Sequence, residues 1–430
     1  MLEIYTAEEL EDLCKLQKGA KNIKYKFWTA EVYSIGKYMR KYAFYPHFLP
    51  LYVYTDHGVG GFGGVFKHEL ENDSSVQFYH NKKKRDEFKK LSKKPCYTLY
   101  SPQIFYRQSN NIQRNPETKG TIAFPSHTTA SIDNEFDKIG YINDLKALPE
   151  EFQPVSICLH EADIKKGEHK IYLKNGLNVY TAGNTIDDKF IERFYDILKH
   201  FKYSTSNMVG SYTYYSVEMD IPFFIYGERE KFVNYGDPNI DIGEFDLMKL
   251  NEYKEAYELF NVPISNEAIF ITEEQKQHMF EGTGLKDGLS RWQLCFVLYW
   301  AFLAYTIKNF FFSSEKIKPK CSPLNLLKSI KNKNVYLYGA GIFAEKLLKN
   351  HDFHQLNIKG FIDGDINKKG KNMNGYEIFY KDEIKELAPD IIFLCVAEPN
   401  IIYYDIVAFV LEMGLNIIII PDFFEDYQAG

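Results

Sequence analysis

The sequence predicts an α/β protein with two Rossmann-like lobes and a third, C-terminal Rossmann-like domain. Short apolar stretches of strand length alternate with stretches of helical period along most of the 430 residues, a pattern typical of parallel sheets covered by helices. Several of the predicted strands end in polar or glycine-rich loops, which is where open α/β sheets hold their ligands. The expected divisions are an N-terminal α/β lobe at 1–115, a second lobe with a helical brace at 116–315 and the C-terminal domain at 325–430.

The composition excludes several functional classes. With 45% hydrophobic and 26% charged residues, the chain is expected to be globular, and 430 residues are more than one ordinary core holds. A net charge of −6 gives no reason to expect nucleic acid as a partner. The six cysteines contain no CxxC pair, and the acidic start MLEIYTAEELEDL lacks the basic and apolar pattern of an export signal. We therefore expect a cytoplasmic protein.

The first candidate site follows the predicted strand Leu51–Thr55. Asp56 and His57 stand there, and the loop that follows has five glycines between residues 58 and 64. Glycines let a ligand approach the backbone closely, and either Asp56 or His57 could act as a general base near neutral pH. The competing interpretation is a glycine loop with a capping aspartate.

The second candidate site is the loop after the predicted strand Thr121–Phe124. It contains Ser126, His127, Thr128 and Thr129. A protonated imidazole together with hydroxyl and backbone N–H donors can bind a diphosphate without a lysine. The alternative is a Ser or Thr helix cap that needs no ligand.

A second hydroxyl-rich strand end lies further along the same lobe. Ser211 begins the next predicted helix, whose N-terminus carries a positive dipole that favours anions. Glu218 lies two helical turns later, from where it could reach a ribose. The alternative is an ordinary polar loop with a capping serine. The polar residues at the strand end itself are Ser204, Thr205, Ser206 and Asn207.

The C-terminal domain contains a glycine motif of the dinucleotide-binding type. Gly339, Gly341 and Ala344 have GxGxxA spacing between a predicted strand and a helix, and Asp363 ends the next strand. This context predicts a dinucleotide or nucleotide-sugar site. The alternative is a Rossmann-like domain that is kept for assembly and binds no ligand.

Between residues 51 and 228, the ordered motifs resemble bacterial GT-B glycosyltransferases that build capsule, lipooligosaccharide or O-antigen, with a sialyltransferase-like pattern. The motifs are YTDHG at 54–58, GTIAFPSHTT at 120–129, VYTAGNTIDDKFIERFYDIL at 179–198 and STSNMVGSYTYYSVEMDIPFFIYGE at 204–228. The resemblance implies that His127 binds the donor phosphate and that Asp56 is the general base. It also implies phosphate-binding hydroxyls at Ser204–Ser206, with the acceptor held by the first lobe and the donor by the second.

The C-terminal domain is similar to the small Rossmann domain of bacterial sugar-modifying enzymes. VYLYGAGIFAEKLL, GFIDGD and NGYEIFYKDEI carry this similarity. It implies a nucleotide or nucleotide sugar as the ligand of this domain.

We therefore expect an inverting glycosyltransferase that uses a sugar nucleotide and a glycan or lipid-linked acceptor, with no cofactor required for transfer. In the GT-B group a proline often follows the donor histidine directly, whereas Pro125 precedes His127 here, so CMP-, UDP- and GDP-sugars all stay open. No DxD motif is evident, which fits a metal-independent mechanism. Two alternatives are an NAD(P)-dependent nucleotide-sugar dehydratase or reductase and a non-catalytic scaffold for polysaccharide assembly. Residues 334–430 lack the YxxxK helix that a dehydratase or reductase would use.

Two segments bear on contact with a membrane. The uncharged run of 16 residues at 292–307 lies between Arg291 and Lys308. Since a bilayer span needs about 20 apolar residues, we expect a buried helix here, with an interfacial helix as the alternative. The helix expected at 81–94 carries eight Lys or Arg residues, which indicates a solvated face or a contact with anionic lipid near a lipid-linked acceptor. The expected location is the cytoplasm, and peripheral contact at the inner face of the membrane stays open as an alternative.

Overall fold

The computed structural model divides the chain into two compact units, Met1–Ser314 and Glu315–Gly430. In both units short strands alternate with helices, and most of the described strand pairs are parallel. The chain is therefore an α/β protein, as predicted. The structure describes residues 2, 4–15, 26–56, 58–60, 64–127, 132–234, 243–311, 333–341, 344, 348, 356–396, 406, 409–410, 413, 415 and 417–420.

The first unit contains three sheets among its described residues. Its strands are β1 Val53–Thr55, β2 Val76–Tyr79, β3 Cys96–Thr98, β4 Thr121–Ala123, β5 Ile132–Glu135, β6 Val155–Cys158, β7 Asn178–Tyr180, β8 Tyr203–Ser206, β9 Phe223–Ile225, β10 Lys231–Asn234 and β11 Gly243–Phe245. Its helices are α1 Ala7–Leu13, α2 Ile35–Tyr42, α3 Lys67–Glu71, α4 Lys82–Leu91, α5 Pro102–Ser109, α6 Lys138–Ala147, α7 Glu161–Lys165, α8 His169–Lys174, α9 Phe190–Leu198, α10 Ser211–Glu218, α11 Asn251–Phe260, α12 Glu273–Gly282 and α13 Arg291–Phe311.

Two of these sheets are parallel. The first has the order β1-β2-β3, and the second has the order β7-β6-β4-β8-β9. In chain order the second sheet reads 3-2-1-4-5, the order of a doubly wound fold, so its direction of winding reverses between β4 and β8. These two strands pair with Ile122 opposite Ser204 and Ala123 opposite Thr205. The two hydroxyl-rich strand ends identified in the sequence therefore lie side by side.

The third sheet was not anticipated from the sequence. It is antiparallel, in the order β11-β10-β5. β5 follows the loop after β4, and β10 comes from a segment more than 90 residues later. Pairing of this kind is set by contacts that are distant in sequence, so local periodicity gives no sign of it.

Local capping explains where several helices begin. α5 starts after Ser101, whose Oγ accepts the N–H of Ile104, and Pro102 occupies the first helical position. α5 extends to Ser109. α5 packs against α2, where Tyr38 and Tyr106 have ring centroids 4.7 Å apart, so this segment is part of the folded core.

α13 has a buried face and an exposed face. Leu294, Leu298 and Ala301 are buried in the cluster that also contains Val53 and Val76 from the first sheet. Burial of only one face differs from the expected buried helix. No helix in the described part of the chain is long and apolar enough to cross a membrane.

The second unit contains a six-stranded sheet. Its order is β14-β15-β13-β12-β16-β17, and every pair is parallel except β14 with β15. Apart from the short β14 at the edge, this is again the 3-2-1-4-5 order of a doubly wound fold. Its elements are β12 Val335–Tyr338, β13 Ile358–Asp363, β14 Asn372–Met373, β15 Tyr376–Tyr380, α14 Ile384–Leu387, β16 Ile391–Leu394 and β17 Ile418–Ile420.

Candidate functional site

The first unit has a cavity of about 510 Å³ at the carboxyl ends of strands from both parallel sheets. The loops after β1, β4, β6 and β7 all reach it. Such strand ends are where ligands of open α/β sheets bind, and a mostly apolar cavity with a few polar groups is the usual form of a small-molecule site. The aromatic part of the wall consists of Tyr33, Tyr54, Phe66, Phe124, Phe190, Phe194, Tyr212 and Tyr215.

Asp56 lies at the edge of the cavity, one residue beyond β1. Its backbone N–H donates to the carbonyl oxygen of Phe78 at 3.0 Å, which fixes the start of the loop. Its side chain is only 12% exposed, and Oδ2 lies 3.8 Å from Nζ of Lys84. This buried oxygen has no hydrogen-bond partner among the described residues. Asp56 is therefore a largely buried carboxylate at the edge of the cavity, with Oδ2 facing Lys84.

Lys84 joins Asp56 to a second buried carboxylate. Its Nζ lies 3.0 Å from Oε1 of Glu69, and it is held over the rings of Phe66 and Tyr79, at 5.2 and 5.0 Å from their centroids. Burial opposes the charge of Lys84, but the carboxylates of Asp56 and Glu69 outweigh it and raise the pKa of the lysine. A charged lysine between two carboxylates leaves this cluster with a net negative charge.

The sequence predicted that Lys84 lies on a basic helix with a solvated face or a face in contact with anionic lipid. The structure buries it, with only 4% of its side chain exposed, so that expectation is wrong for this residue. The sequence feature that could have indicated burial of Lys84 is its spacing from Phe88, which lies four residues further along α4 on the same helix face and is fully buried. Glu69 carried no comparable signal.

His127 lies in the cavity wall after β4 and stacks on His160, which follows β6. Their ring centroids are 4.3 Å apart with an interplanar angle of 22°. Burial lowers the pKa of His160 to about 2, and the charges of His127 and Lys165 act in the same direction. The Nδ1 atom of His160 accepts the N–H of Ala162 at 3.2 Å, so the single proton of the neutral ring is on Nε2. The sequence analysis did not identify His160.

Tyr33 provides the partner for that proton. Its Oη lies 3.3 Å from Nε2 of His160, and its backbone N–H donates to the carbonyl oxygen of Thr185 at 2.7 Å. Tyr33 and Ser34 both have positive φ, at 54° and 61°, a conformation that costs free energy in residues with a side chain. Of the two, Tyr33 lines the cavity, and Ser34 Oγ donates to the carbonyl oxygen of Asp188 at 3.2 Å behind it.

Ser211 brings the N-terminus of α10 to the cavity. Its Oγ accepts the N–H of Val59 at 3.1 Å, which ties the loop after β1 to the second sheet. A Cβ at Gly58 would stand 3.0 Å from this Oγ, so the two loops approach closely at this point. Among the sequence-predicted residues, the cavity thus brings together Asp56, His127 and Ser211.

The other polar residues of the β8 strand end lie inside the sheet. Thr205 Oγ1 donates to the carbonyl oxygen of Phe224 at 2.8 Å, and Ser206 Oγ is 2.8 Å from Tyr212 Oη. The side-chain oxygen of Asn207 accepts the N–H of Ser126 at 2.9 Å. Ser204 is fully buried as well. None of these residues except Tyr212 lines the cavity, so Ser204, Thr205, Ser206 and Asn207 support the wall from behind it.

Glu218 is at the opposite end of α10 from Ser211. It pairs with Arg107 and accepts a hydrogen bond from Nε2 of Gln108 at 2.9 Å. Burial raises the pKa of Glu218, against the opposing effect of Arg107. This residue joins α10 to α5 and does not line the cavity. His57, Thr128 and Thr129 lie outside the described residues.

The glycine turn of the second unit follows β12. Gly339 has φ of 101°, and a Cβ there would stand 2.5 Å from Cγ1 of Val396, so this position requires glycine. Gly341 has open space around its Cα, and Ala344 is fully buried. These features fit the close turn of a Rossmann fold.

Asp363, at the end of β13, is already engaged within the protein. One of its carboxylate oxygens accepts the N–H of Ala340 at 2.7 Å and the other accepts that of Asp365 at 2.8 Å. Nζ of Lys368 lies 3.0 Å away. Asp363 therefore closes the glycine turn internally.

Among the described residues, no group of three or more His, Cys, Asp or Glu side chains is arranged to hold a metal ion. The candidate site has a carboxylate and lysine cluster on one side, and a histidine stack with a helix N-terminus on the other.

Comparison with known proteins gives one family match, over part of the chain. Residues 331–416 match the C2185-like N-terminal family model. A search of the curated proteins finds no match.

Three solved structures are similar in part. A Rex-family repressor, RSP, in complex with β-NAD+ and operator DNA is 22% identical at a TM-score of 0.18, over 21% of this chain and 46% of the repressor. UDP-D-quinovosamine 4-dehydrogenase from Vibrio fischeri is 23% identical at a TM-score of 0.18, over 23% of this chain and 84% of the dehydrogenase. Another structure of RSP is 15% identical at a TM-score of 0.19, over 35% of this chain and 68% of the repressor. At these TM-scores we base no conclusion about function on the similarities.

Proposed function

We propose that this chain is a glycosyltransferase of the GT-B type, which transfers a sugar from a sugar nucleotide to a surface-glycan acceptor. The observation that carries the proposal is that Asp56 from one parallel sheet and His127 and Ser211 from the other line the same cavity. Because ligands of open α/β sheets bind at the carboxyl ends of the strands, two sets of strand ends around one cavity suit two substrates.

The second sheet supplies the side that would hold the leaving group. The His127 ring, the Ser211 hydroxyl and the first N–H groups of α10 can donate to phosphate oxygens, and the dipole of the helix favours the negative charge. His160 stays neutral because of its low pKa. It therefore takes no proton from His127 and serves to orient that ring through the stack.

The first sheet supplies the base. The Asp56 carboxylate accepts the proton of the acceptor hydroxyl, and the oxygen of that hydroxyl attacks the anomeric carbon of the donor. The attack comes from the face opposite the phosphate. The bond from this carbon to the phosphate oxygen breaks, and its electron pair leaves with the nucleotide. This single displacement inverts the configuration. Positioned bases of this kind contribute about 10²- to 10⁴-fold to rates. The aromatic wall keeps water away from the donor.

The donor is a CMP-, UDP- or GDP-sugar in this proposal, and transfer needs no cofactor. A nucleobase has flat faces that suit the aromatic rings of the wall. A thermal-shift series with the three classes of sugar nucleotide would identify the donor, since a ligand at 100 times its Kd adds about 2.7 kcal/mol of stability.

The catalytic assignment is tested by transfer assays on Asp56→Asn and His127→Ala. We expect Asp56→Asn to lose about 10²-fold or more in kcat while it still binds the donor, and His127→Ala to weaken donor binding as well. The matched controls are Asp86→Asn and His47→Ala, which change exposed or half-exposed residues away from the cavity lining. Full transfer activity in both site variants would refute the assignment.

For the second unit, a nucleotide or nucleotide-sugar ligand stays a prediction. The engagement of Asp363 by Ala340 and Lys368 disfavours the alternative of an NAD(P)-dependent dehydratase, because this carboxylate would otherwise contact the ribose. Calorimetric titration with NAD(P) and with sugar nucleotides would test both ligands.

A further inference from the structure

The exposed face of α13 carries a continuous row of large apolar side chains. They lie at helical spacing, and each is between 39% and 73% exposed. Exposed apolar patches of this kind on a folded protein mark interaction sites. We call this row the α13 outer face, and it consists of Trp292, Phe296, Tyr299, Trp300, Leu303 and Ile307.

The α13 outer face is bracketed by positive charge. Arg291 begins the helix and Lys308 lies near its end, and the 21 residues of α13 include no Asp or Glu. The Arg291 guanidinium packs 4.0 Å from the ring centroid of Phe44, which is itself exposed and lies 5.4 Å from the ring of Trp292. Aromatic and cationic groups therefore meet at the same edge.

Further cations stand near the C-terminal half of the helix. The pKa of Lys94 is lowered to about 8, chiefly by burial, and the nearby charge of Lys308 adds to that effect. Lys26 lies 3.4 Å from Asp73, whose carboxylate also accepts the hydroxyl of Tyr305 at 3.0 Å. The acidic side chain beside this part of α13 is thus already neutralised.

This charge pattern argues against pairing with a second copy of the chain. In a two-fold interface the same patch faces itself. An antiparallel pair of α13 helices would place Arg291 opposite Lys308, and a parallel pair would place each cation opposite its own copy. Neither arrangement offers a carboxylate from α13, so both are repulsive. The pattern requires a partner surface that is negatively charged and accepts apolar side chains.

We propose that the α13 outer face docks on an anionic lipid bilayer, with α13 lying in the plane of the interface. Trp and Tyr favour the boundary between head groups and acyl chains, and flanking Lys and Arg residues are attracted to anionic head groups. Helices that lie on membranes combine an apolar aromatic face with cations in this way. The proposal rests on α13 and its neighbours and is independent of the glycosyltransferase assignment.

The test is sedimentation of the full chain with vesicles of phosphatidylcholine, with and without phosphatidylglycerol. We expect binding to the vesicles that contain phosphatidylglycerol, and at least about tenfold weaker partitioning for the variant Trp292→Ser/Phe296→Ser/Trp300→Ser, because it removes most of the buried apolar area. Arg291→Gln/Lys308→Gln should weaken binding to the anionic vesicles by about fivefold for each charge. Phe270→Ser is the matched control, since Phe270 is 81% exposed but lies outside α13.

Three outcomes would overturn the proposal. They are equal sedimentation with both kinds of vesicle, unchanged sedimentation of the triple variant, and a dimer in light scattering that the triple variant abolishes. Circular dichroism of each variant verifies folding, which matters most for Arg291, since its Nε donates to the carbonyl oxygen of Tyr42 at 2.8 Å. Binding that fails for the triple variant and persists for Phe270→Ser would support docking through α13.

Discussion

Replacing Lys84 by methionine tests whether the carboxylate cluster beside the cavity is as tightly coupled as the distances indicate. Methionine keeps an apolar stem over Phe66 and Tyr79 but leaves Asp56 and Glu69 as buried carboxylates without a cation. At an effective dielectric constant of about 20, charges 3.0 and 3.8 Å apart attract each other by about 5 and 4 kcal/mol. The cost of burying three charges cancels part of this attraction.

We therefore expect Lys84→Met to lower the free energy of unfolding of the first unit by about 3–5 kcal/mol, the usual result of removing one partner from a buried ion pair. Adding Glu69→Gln should restore part of the loss, because one uncompensated carboxylate disappears. Urea unfolding followed by tryptophan fluorescence measures the first unit selectively, since all three tryptophans precede residue 315.

The matched control is Lys89→Met on the same helix, where the side chain is exposed. Exposed ion pairs contribute about 0–1 kcal/mol, so this variant should unfold almost like the parent protein. If Lys84→Met costs no more than Lys89→Met, then Lys84 is not the buried link between the two carboxylates, and the description of the base side of the cavity is wrong.

Three further predictions concern other buried groups. Burial raises the pKa of Glu230 to about 7. The contribution of this group to the free energy of unfolding is therefore fully present below about pH 4.5 and is lost as the pH rises through 7. In urea titrations, Glu230→Gln should add about 3 kcal/mol to the free energy of unfolding at pH 8 and little at pH 4. Gly339→Ala should destabilise the second unit by more than about 2 kcal/mol, because Gly339 has a positive φ and a Cβ there would clash with Val396. Gly341→Ala should cost less than about 0.5 kcal/mol. Hydrogen exchange measures both effects. Glu218→Gln should cost about 1–3 kcal/mol through its lost pairing with Arg107 and leave donor affinity unchanged in calorimetry; weaker donor binding would contradict its position behind the cavity.

The strands around the cavity were predictable because their sequences are locally unambiguous. Leu51–Thr55 and Thr121–Phe124 are short apolar runs that end in polar or glycine residues, and the structure places β1 and β4 within them. The glycine spacing at 339–344 likewise predicted the turn after β12, where the φ of Gly339 requires glycine. In these cases the residue type and its immediate neighbours determine the local conformation.

The remaining site residues depend on contacts that are distant in sequence. Tyr33 and His160 are separated by 127 positions and yet lie within 3.3 Å, and the burial of Lys84 depends on Glu69 and on the loop after β1. A lysine among seven other cations looks solvated in the sequence, because local charge dominates the pattern. Only the packing of the whole unit reveals which lysine points inward.

The position of a polar residue relative to the strand end explains which sequence predictions reach the cavity. β8 is flanked by β4 and β9. Its residues Ser204, Thr205 and Ser206 are therefore enclosed by the sheet. Thr205 and Ser206 form hydrogen bonds within the protein. Asp56, His127 and Ser211 all come after the last residue of a strand, where the chain leaves the sheet and can turn toward the cavity. His160 obeys the same rule after β6. The polar residues inside β8 therefore support the site from behind. The cavity-lining residues Asp56, His127, His160 and Ser211 lie one to five positions beyond the end of a strand.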